Sequence, residues 1–361
     1  MEETLVKKEK IDKLMKEKGL DGVVLTSHSN ITWLTGIDNR IVFASDEGAV
    51  KLIIFKDRIE VVTNNIEAGR IREEEGLDQD YYKYIVDDWY RADNYLKVLI
   101  DKYNLGSDIL IPGVLDVGME IKRLRFSLLP QEMERYRQLG KEVGKIMSDT
   151  CHHIETGKTE NEIRAQLASK LWAHNINPLL ILVGSDERIY NYRHPIPKDK
   201  KIDKYVMVVT CAERDGLIVN LTRFVHFGNL PDELKRKLEA VVRVDASFIL
   251  NTRVGSKISD IFSKAIAVYE NEGYPGEWQY HHQGGATGYE TRDYIATPDL
   301  EEVVCPNQAF AWNPSIKGVK SEDTILVTEE GFEILTEDPD WPGIEVQYQG
   351  QKIKRPGILV K

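Results

Sequence analysis

The sequence predicts a mixed α/β (α+β) protein made of two domains. Its 361 residues exceed what one average hydrophobic core can organise. Apolar residues follow a helical period in some segments and form short strand-like runs in others, and residues 128–132 interrupt this pattern. We therefore expect an N-terminal domain over residues 1–129 and a C-terminal domain over residues 130–361.

The N-terminal half begins with an amphipathic helix over residues 4–19, which Gly19 ends. A short capped helix is predicted over residues 29–36. Strand-like runs occur at residues 22–26, 49–55, 58–63 and 109–112. The second and third of these runs flank a turn at residues 56–57, which predicts a hairpin.

The C-terminal half begins with a long helix over residues 131–154, closed near Gly157, and a second helix follows to about residue 174. Further helices are predicted at residues 230–252 and 257–272. Strands are predicted at residues 205–212, 217–226, 309–313 and 323–328. Residues 341–361 have the pattern of a tail interrupted by proline and glycine.

Composition excludes several classes of function. A hydrophobic content of 42% and a charged content of 30% are ordinary for a soluble globular protein. The net charge of −11 argues against nucleic-acid binding, which requires a basic face. The three cysteines follow no disulfide or metal spacing, the N-terminus lacks an apolar signal core, and no apolar run has membrane length. We expect a cytoplasmic protein with neither nucleic-acid nor membrane partners.

Five short motifs occur in an order that is informative. They lie at residues 29–36, 155–160, 215–223, 281–288 and 322–327. Together they resemble the pita-bread family of Xaa-Pro aminopeptidase, prolidase and creatinase, and the resemblance covers nearly the whole chain. It implies a creatinase-like N-terminal domain, a pita-bread catalytic domain, a homodimer, and hydrolysis of a C–N bond in a small-molecule substrate.

The resemblance also implies which residues would bind metal. The family holds two metal ions with two aspartates, one histidine and two glutamates. The corresponding positions here are, in order, Val209, Asn220, Gly285, Asn313 and Glu322. Valine and glycine side chains offer no lone pair and asparagine is a weak neutral ligand, so one strong ligand remains. Placing His282 in the histidine position would give only two, and we therefore expect no metal cofactor.

Creatinase is the member of this family that works without metal, and it resembles what this chain retains. His194 falls where the family keeps a histidine beside the scissile bond, and histidine exchanges protons near neutral pH. His281 lies four residues before Gly285, where aminopeptidases have a substrate-facing histidine, so we expect it to assist His194. Because neighbouring strand residues point to opposite faces, we expect only one of His281 and His282 to reach the pocket.

Further polar residues receive substrate-binding roles from the same resemblance. Glu322 is expected to take part in catalysis by holding a cationic group or orienting water, and Arg292 to hold a carboxylate. The other expected substrate-binding residues are His282, Asn220, Asn313 and Arg40, the last of which would reach a partner subunit's site. Structural alternatives are a surface ion pair for Arg292 and pairing of Glu322 with Arg223 or Lys320.

The favoured hypothesis is metal-independent, creatinase-like hydrolysis of an amide or amidine bond in a small zwitterionic substrate. Creatine itself is not expected, because Thr222 stands where creatinase carries a glutamate. One alternative is a divergent metal-dependent Xaa-Pro dipeptidase or aminopeptidase that uses His282, Glu322 and either Glu290 or Asp293. Another is a catalytically inactive binding module, since a fold does not fix a function.

Overall fold

The computed structural model describes residues 2–43, 45–78, 80–91 and 94–361. The chain divides into two compact units, Met1–Arg125 and Phe126–Lys361. The expected mixed α/β class is confirmed, while the boundary at residues 129/130 stays a prediction. Among the described residues, no helix combines the length and the hydropathy needed to cross a bilayer.

The first unit contains a mixed sheet with the strand order β4-β3-β2-β1-β5-β6. Its strands are β1 (Gly22–Ser27), β2 (Glu47–Phe55), β3 (Ile59–Asn64), β4 (Tyr82–Asp87), β5 (Leu105–Ser107) and β6 (Leu115–Asp116). Its helices are α1 (Glu2–Lys18), α2 (His28–Thr35), α3 (Ala68–Glu73), α4 (Asn94–Ile100) and α5 (Gly118–Phe126), with a 3₁₀ turn at Trp89–Arg91.

The strand predicted at residues 109–112 is wrong. The parallel strand β5 lies earlier in the chain and ends at Ser107. The next residue, Asp108, turns its carboxylate back to β1 and accepts hydrogen bonds from the backbone N–H groups of Thr26 and Ser27, each at 2.9 Å. Pro112 then lacks the N–H that a further ladder needs, so the apolar run continues as irregular backbone.

The second unit has more elements than the first. Its helices are α6 (Pro130–His152), α7 (Glu160–Ala173), α8 (Glu187–Asn191), α9 (Asp232–Asn251) and α10 (Ile258–Asn271), with a 3₁₀ turn at Glu277–Tyr280. Its strands are β7 (Asn177–Ser185), β8 (Tyr205–Arg214), β9 (Leu217–His226), β10 (Gly284–Thr287), β11 (Tyr294–Ile295), β12 (Gln308–Trp312), β13 (Ser315–Ile316), β14 (Val319–Lys320), β15 (Asp323–Thr328), β16 (Gly331–Ile334), β17 (Gly343–Tyr348), β18 (Gln351–Pro356) and β19 (Ile358–Val360).

Two sheets of this unit meet where β9 approaches β15. One sheet has the order β19-β9-β8-β7 and the other β11-β10-β12-β15-β16. The backbone N–H of Thr222 donates to the Glu322 carbonyl at 3.2 Å, and the Asn220 N–H donates to Thr324 Oγ1 at 2.7 Å. These bonds bring the polar residues of β9 to the start of β15. On the other side of the second sheet, Trp312 stacks on Phe248 of α9 with ring centroids 4.5 Å apart.

The C-terminal segment is more ordered than its proline and glycine content predicts. Strands β17 and β18 form a hairpin, and β19 pairs in parallel with β9. Buried Arg355 of β18 anchors the segment, because its Nε donates to Asp245 at 2.7 Å and its Nη2 to Asp323 at 2.9 Å. Arg223 bonds the other oxygen of Asp323 at 2.8 Å. Each charge in this network has a partner of opposite sign, which offsets the cost of removing it from water.

Candidate active site

Three histidines form a cluster in the second unit. His194 Nε2 and His281 Nε2 lie 3.0 Å apart, and one nitrogen from each of His194, His281 and His282 lies within 4.8 Å of the others. The prediction that only one of the two neighbouring histidines would reach the pocket was wrong. Both rings approach His194, with ring centroids 4.9 Å away for His281 and 5.8 Å away for His282, although the backbone of His281 is extended.

A chain of hydrogen bonds orients His281. Its Nδ1 lies 3.2 Å from Ser315 Oγ, which also accepts a bond from Arg193 Nη1 at 3.1 Å. Arg193 is in turn held by Glu277, whose carboxylate lies 2.6 Å from Nη2. With Nδ1 engaged in this way, the Nε2 atom of His281 is the one presented to His194.

The electrostatic surroundings keep all three imidazoles neutral at neutral pH. Burial is the largest cause in each case: it lowers the pKa values of His194 and His281, and with its neighbours it lowers that of His282 to about 4. The next cause is the positive charge of Lys320 for His194 and His281, and that of Arg292 for His282. His194 is the least buried of the three, so it is the member of the cluster that solvent reaches most readily.

Glu322 is buried and bonded on both oxygens. Its Oε1 lies 3.1 Å from Arg292 Nη2, while its Oε2 lies 2.9 Å from Lys320 Nζ and accepts a hydrogen bond from Thr222 Oγ1 at 2.6 Å. Burial alone would raise the pKa of this carboxyl, but Lys320, Arg292 and Thr222 together lower it to about 2. Glu322 is therefore ionised, and a substrate cation would have to compete with Lys320 for it.

The two structural alternatives for Glu322 have different outcomes. Lys320 pairs with it as one alternative anticipated. The Arg223 guanidinium pairs instead with the carboxylate of Asp323, and it approaches only the backbone carbonyl of Glu322, at 3.4 Å. Arg292 is not a surface ion pair, because its side chain is only 12% exposed.

Arg292 has limited capacity left for a substrate carboxylate. Its Nη1 donates to the carbonyl of Thr291 at 2.6 Å and its Nη2 donates to Glu322. Its Nε is buried and has no hydrogen-bond partner among the described residues. Most of the Arg292 guanidinium, which was expected to bind a substrate carboxylate, is therefore already hydrogen-bonded to the protein. Its Nε–H is the donor that remains for a ligand.

Asn220 and Asn313 place unsatisfied acceptors near Glu322. Asn220 is fully buried and donates from Nδ2 to Thr287 Oγ1 at 3.1 Å. Asn313 follows β12 directly, and the pairing of Trp312 with Asp323 brings it opposite Glu322. The Oδ1 atoms of both asparagines are buried and find no donor within the described part of the chain. Buried acceptors are rarely left unpaired, which points to a ligand or water that donates hydrogen bonds here.

The residues present do not fit a pair of metal ions. At Gly285, where the family has a histidine, φ is +153° and an added Cβ would lie 2.2 Å from the carbonyl oxygen of Tyr294. Strand β11 therefore closes the space that a ligand side chain would need. Val209 is a buried apolar residue paired with Thr222 across β8 and β9. One carboxylate, already bonded to two cations, does not replace the missing anionic ligands.

The remaining candidates lie elsewhere or have other roles. Arg40 belongs to the loop after α2 in the first unit, with its guanidinium 5.6 Å from the Phe43 ring centroid; its role toward a partner subunit stays a prediction. Among the described residues, the His/Cys/Asp/Glu cluster able to hold a metal consists of the three histidines and contains neither Glu290 nor Asp293. Cys211 is buried, which raises the pKa of its thiol to about 12 and disfavours a nucleophilic role.

Lys320 belongs to the site, although the family resemblance implies no catalytic or substrate-binding role for it. It lies on β14 opposite Ser315, the residue that orients His281, and both line one small cleft with His281 and Arg193. A usable signal was present, because residues two apart in extended chain share a face and Lys320 precedes Glu322 by two. The same argument places Asn220 and Thr222 on one face of β9.

Comparison with known proteins agrees with the fold. Over 233 residues the chain is 26% identical to an uncharacterized peptidase of Staphylococcus haemolyticus, a match that spans 61% of this chain and 65% of the relative, less than two thirds of its length. The prolidase from Pyrococcus horikoshii OT3 superposes with a TM-score of 0.79 at 19% identity, covering 92% of this chain and 98% of that one. A Xaa-Pro dipeptidase from Bacillus anthracis gives a TM-score of 0.79 at 18% identity, covering 99% and 100%.

Two family models match the chain directly. Residues 7–142 match the creatinase/prolidase N-terminal domain. Residues 134–329, more than half of the chain, match metallopeptidase family M24. The chain therefore belongs to metallopeptidase family M24, which confirms the pita-bread resemblance.

Proposed function

We propose that this protein hydrolyses an amide or amidine C–N bond in a small zwitterionic substrate without a pair of metal ions, as creatinase does. The observation that carries this proposal is the state of Glu322, whose two oxygens are bonded to Lys320, Arg292 and Thr222. The protein's own cations thus neutralise the one carboxylate that remains in the family's metal positions. They also supply positive charge to a site from which four strong metal ligands are missing.

His194 is the proposed proton carrier. As a neutral, exposed imidazole it takes a proton from an attacking water while the water oxygen bonds to the substrate carbon. It then gives that proton to the nitrogen as the C–N bond breaks. His281 contacts His194 through Nε2 at 3.0 Å and fixes the imidazole in place.

The other polar groups divide between the two ends of the substrate. Lys320 Nζ and Arg292 Nε–H are donors for a carboxylate or for negative charge that develops on the reacting group. The unpaired Oδ1 atoms of Asn220 and Asn313 accept hydrogen bonds from an ammonium or amidine group. In this arrangement the asparagines, rather than Glu322, hold the cationic end.

The test is a turnover screen on chelator-treated protein whose metal content has been measured. The panel contains free and N-acylated dipeptides, including Xaa-Pro substrates, and amino acids bearing amidino groups. We expect turnover to persist after chelation and to fall by about 10²- to 10⁴-fold in His194→Ala. The surface variant His153→Ala serves as the matched control. Two stoichiometric metal ions per chain, with activity lost on chelation, would overturn the proposal.

A metal-dependent Xaa-Pro dipeptidase is the second candidate. Its support comes from the solved structures that this chain resembles, one described as a prolidase and one as a Xaa-Pro dipeptidase. Within the same screen it predicts turnover confined to Xaa-Pro peptides and restored by added metal. Two observations argue against this second candidate. The asparagine Oδ1 atoms are neutral where a metal pair needs anionic ligands, and Glu322 is already paired with Lys320 and Arg292.

The family resemblance also supports a homodimer. We propose that two copies associate and that Arg40 of one copy contributes to the site of the other. Light scattering coupled to size-exclusion chromatography should give twice the chain mass of 41.4 kDa. Arg40→Ala should then raise KM with little effect on the dimer. A chain that is monomeric at assay concentrations would remove this part of the proposal.

A further inference from the structure

The histidine cluster has a property that the proton-transfer role does not use. Three imidazoles from two separate segments converge with their ring nitrogens within 4.8 Å of one another. We propose that His194, His281 and His282 form a site for a single borderline transition-metal ion such as Zn²⁺, Co²⁺ or Ni²⁺. This site differs from the family's two-metal positions, whose residues in this chain are Val209, Asn220, Gly285, Asn313 and Glu322.

The distances suit a tetrahedral ion with little rearrangement. Zinc binds imidazole nitrogen at about 2.0–2.1 Å, which separates two ligands of a tetrahedron by about 3.3 Å. The Nε2 atoms of His194 and His281 are 3.0 Å apart, close to that value. His282 has to approach by at most about 1.5 Å from its place within the 4.8 Å cluster, which a small rotation of its side chain can supply.

The residues behind His281 hold it as a metal ligand would be held. Ligand histidines usually engage their second ring nitrogen in a hydrogen bond that fixes the tautomer and the ring orientation. Here Ser315 Oγ contacts Nδ1 at 3.2 Å, and Arg193 and Glu277 extend the chain behind it. If Nδ1–H donates to Ser315, then Nε2 carries the lone pair that faces the centre of the cluster.

The donor set selects the class of ion. Imidazole nitrogen suits zinc, cobalt and nickel, whereas magnesium and calcium require several oxygen ligands. His194 is exposed and gives the ion a path from solvent, while His281 is buried and His282 lies between these extremes. His282 Nδ1 is buried and has no hydrogen-bond partner among the described residues, so a ligand could satisfy it.

The positive charges near the histidine cluster lower its affinity for a metal ion, and removing one of them provides a specific test. Lys320 and Arg292 bear positive charges close enough to disfavour protonated histidines, and Glu322 offsets only one of them. The same field repels a metal dication. Replacing Lys320 by methionine should therefore tighten metal binding by at least about fivefold, which a purely structural role for Lys320 would not predict.

Metal binding at this cluster would oppose the proposed reaction rather than drive it. An ion on His194 occupies the lone pair that has to accept the water proton. This consequence rests on the proposed function, and it predicts inhibition by zinc together with activity in chelator. The binding itself can be tested without any substrate, so failure of one proposal is distinguishable from failure of the other.

The experiment is a titration of chelator-stripped full-length protein with Co²⁺, followed by visible absorption and calorimetry, with Zn²⁺ as the competitor. We expect one ion per chain and the intense d–d bands of a four-coordinate site. His281→Ala and His282→Ala should each weaken binding by at least about tenfold. His153→Ala, which removes an exposed histidine outside the cluster, should leave it unchanged. Circular dichroism establishes that each variant is folded.

Two results would overturn the inference. The first is the absence of stoichiometric Co²⁺ binding to folded wild-type protein at concentrations up to 1 mM, roughly the weakest affinity expected of a specific site. The second is binding that survives both His281→Ala and His282→Ala, which would locate the ion elsewhere. Tighter binding in Lys320→Met, together with its loss in the histidine variants, supports the site.

Discussion

Replacing Glu322 by glutamine should produce a loss of stability that depends on pH in a defined way. The substitution keeps the shape of the side chain and its bond to Thr222, but it leaves Lys320 and Arg292 buried without a counter-charge. Breaking a buried ion pair from one side typically costs about 3–5 kcal/mol. At pH 7 we therefore expect the free energy of unfolding to fall by about that amount.

The pH dependence follows from the lowered pKa of Glu322. This carboxyl has a pKa near 4.5 when unfolded and about 2 when folded, so its ionisation favours the folded state by about 3 kcal/mol above pH 4.5. The contribution disappears as the pH falls through 4.5 toward 2, because protons then bind the unfolded chain first. About 2 kcal/mol of it should be lost between pH 6 and pH 3.

The assay is urea unfolding followed by tryptophan fluorescence at several pH values, with the wild type and Glu322→Gln measured side by side. The stability difference between the two proteins should shrink by about 2 kcal/mol from pH 6 to pH 3, since glutamine does not titrate. A difference that stays constant over this range would refute the lowered pKa. The double variant Glu322→Gln/Lys320→Met should recover part of the loss, because it removes one of the two unpaired cations.

Three further predictions concern the surroundings of the site. Arg355→Met leaves buried Asp245 without a cation and Asp323 with Arg223 alone, so it should lower the unfolding free energy in urea by about 3–5 kcal/mol; a loss below about 1 kcal/mol would contradict the network. Gly285→Ala should cost at least about 2 kcal/mol in thermal unfolding because its Cβ meets the β11 backbone, whereas Gly69→Ala, with open space around it, should not. A thiol reagent should label the partly exposed Cys305 in native protein and leave buried Cys211 unmodified until urea is added; early labelling of Cys211 would contradict its burial.

The elements that the sequence predicted best are those with a strong local pattern. The strand predicted at residues 323–328 is found as Asp323–Thr328, and the helix predicted at 257–272 as Ile258–Asn271. The sequence pattern does not predict strand β7, and it predicts a tail where β17 to β19 form, since the stability of these strands comes from partners distant in sequence. Arg355, for example, is buried only because Asp245 and Asp323 receive its guanidinium.

At the site too, the residues carried by local motifs were predictable from the sequence, whereas contacts between segments distant in sequence were not. The family positions pointed to His194, His281 and Glu322, but they could not show that His281 and His282 would both approach His194. Nor could they show that Lys320 and Arg292 would both approach Glu322, since the two cations are 28 residues apart in sequence and meet only in the fold. The sequence therefore predicted which polar residues lie at the site, but it did not predict which of them pair with one another.

Charge balance links the loss of metal ligands to the presence of Lys320. In the family arrangement four carboxylates carry four negative charges, which two divalent ions compensate. Here one carboxylate remains, Glu322, and two monovalent side chains contact it, which leaves one positive charge in excess. A site with that balance attracts an anionic group from the substrate and weakens any metal ion on the adjacent histidines. Lys320→Met should therefore raise the KM for a carboxylate substrate while it lowers the Kd for cobalt, and the opposite signs of these two changes distinguish an electrostatic role for Lys320 from a purely structural one.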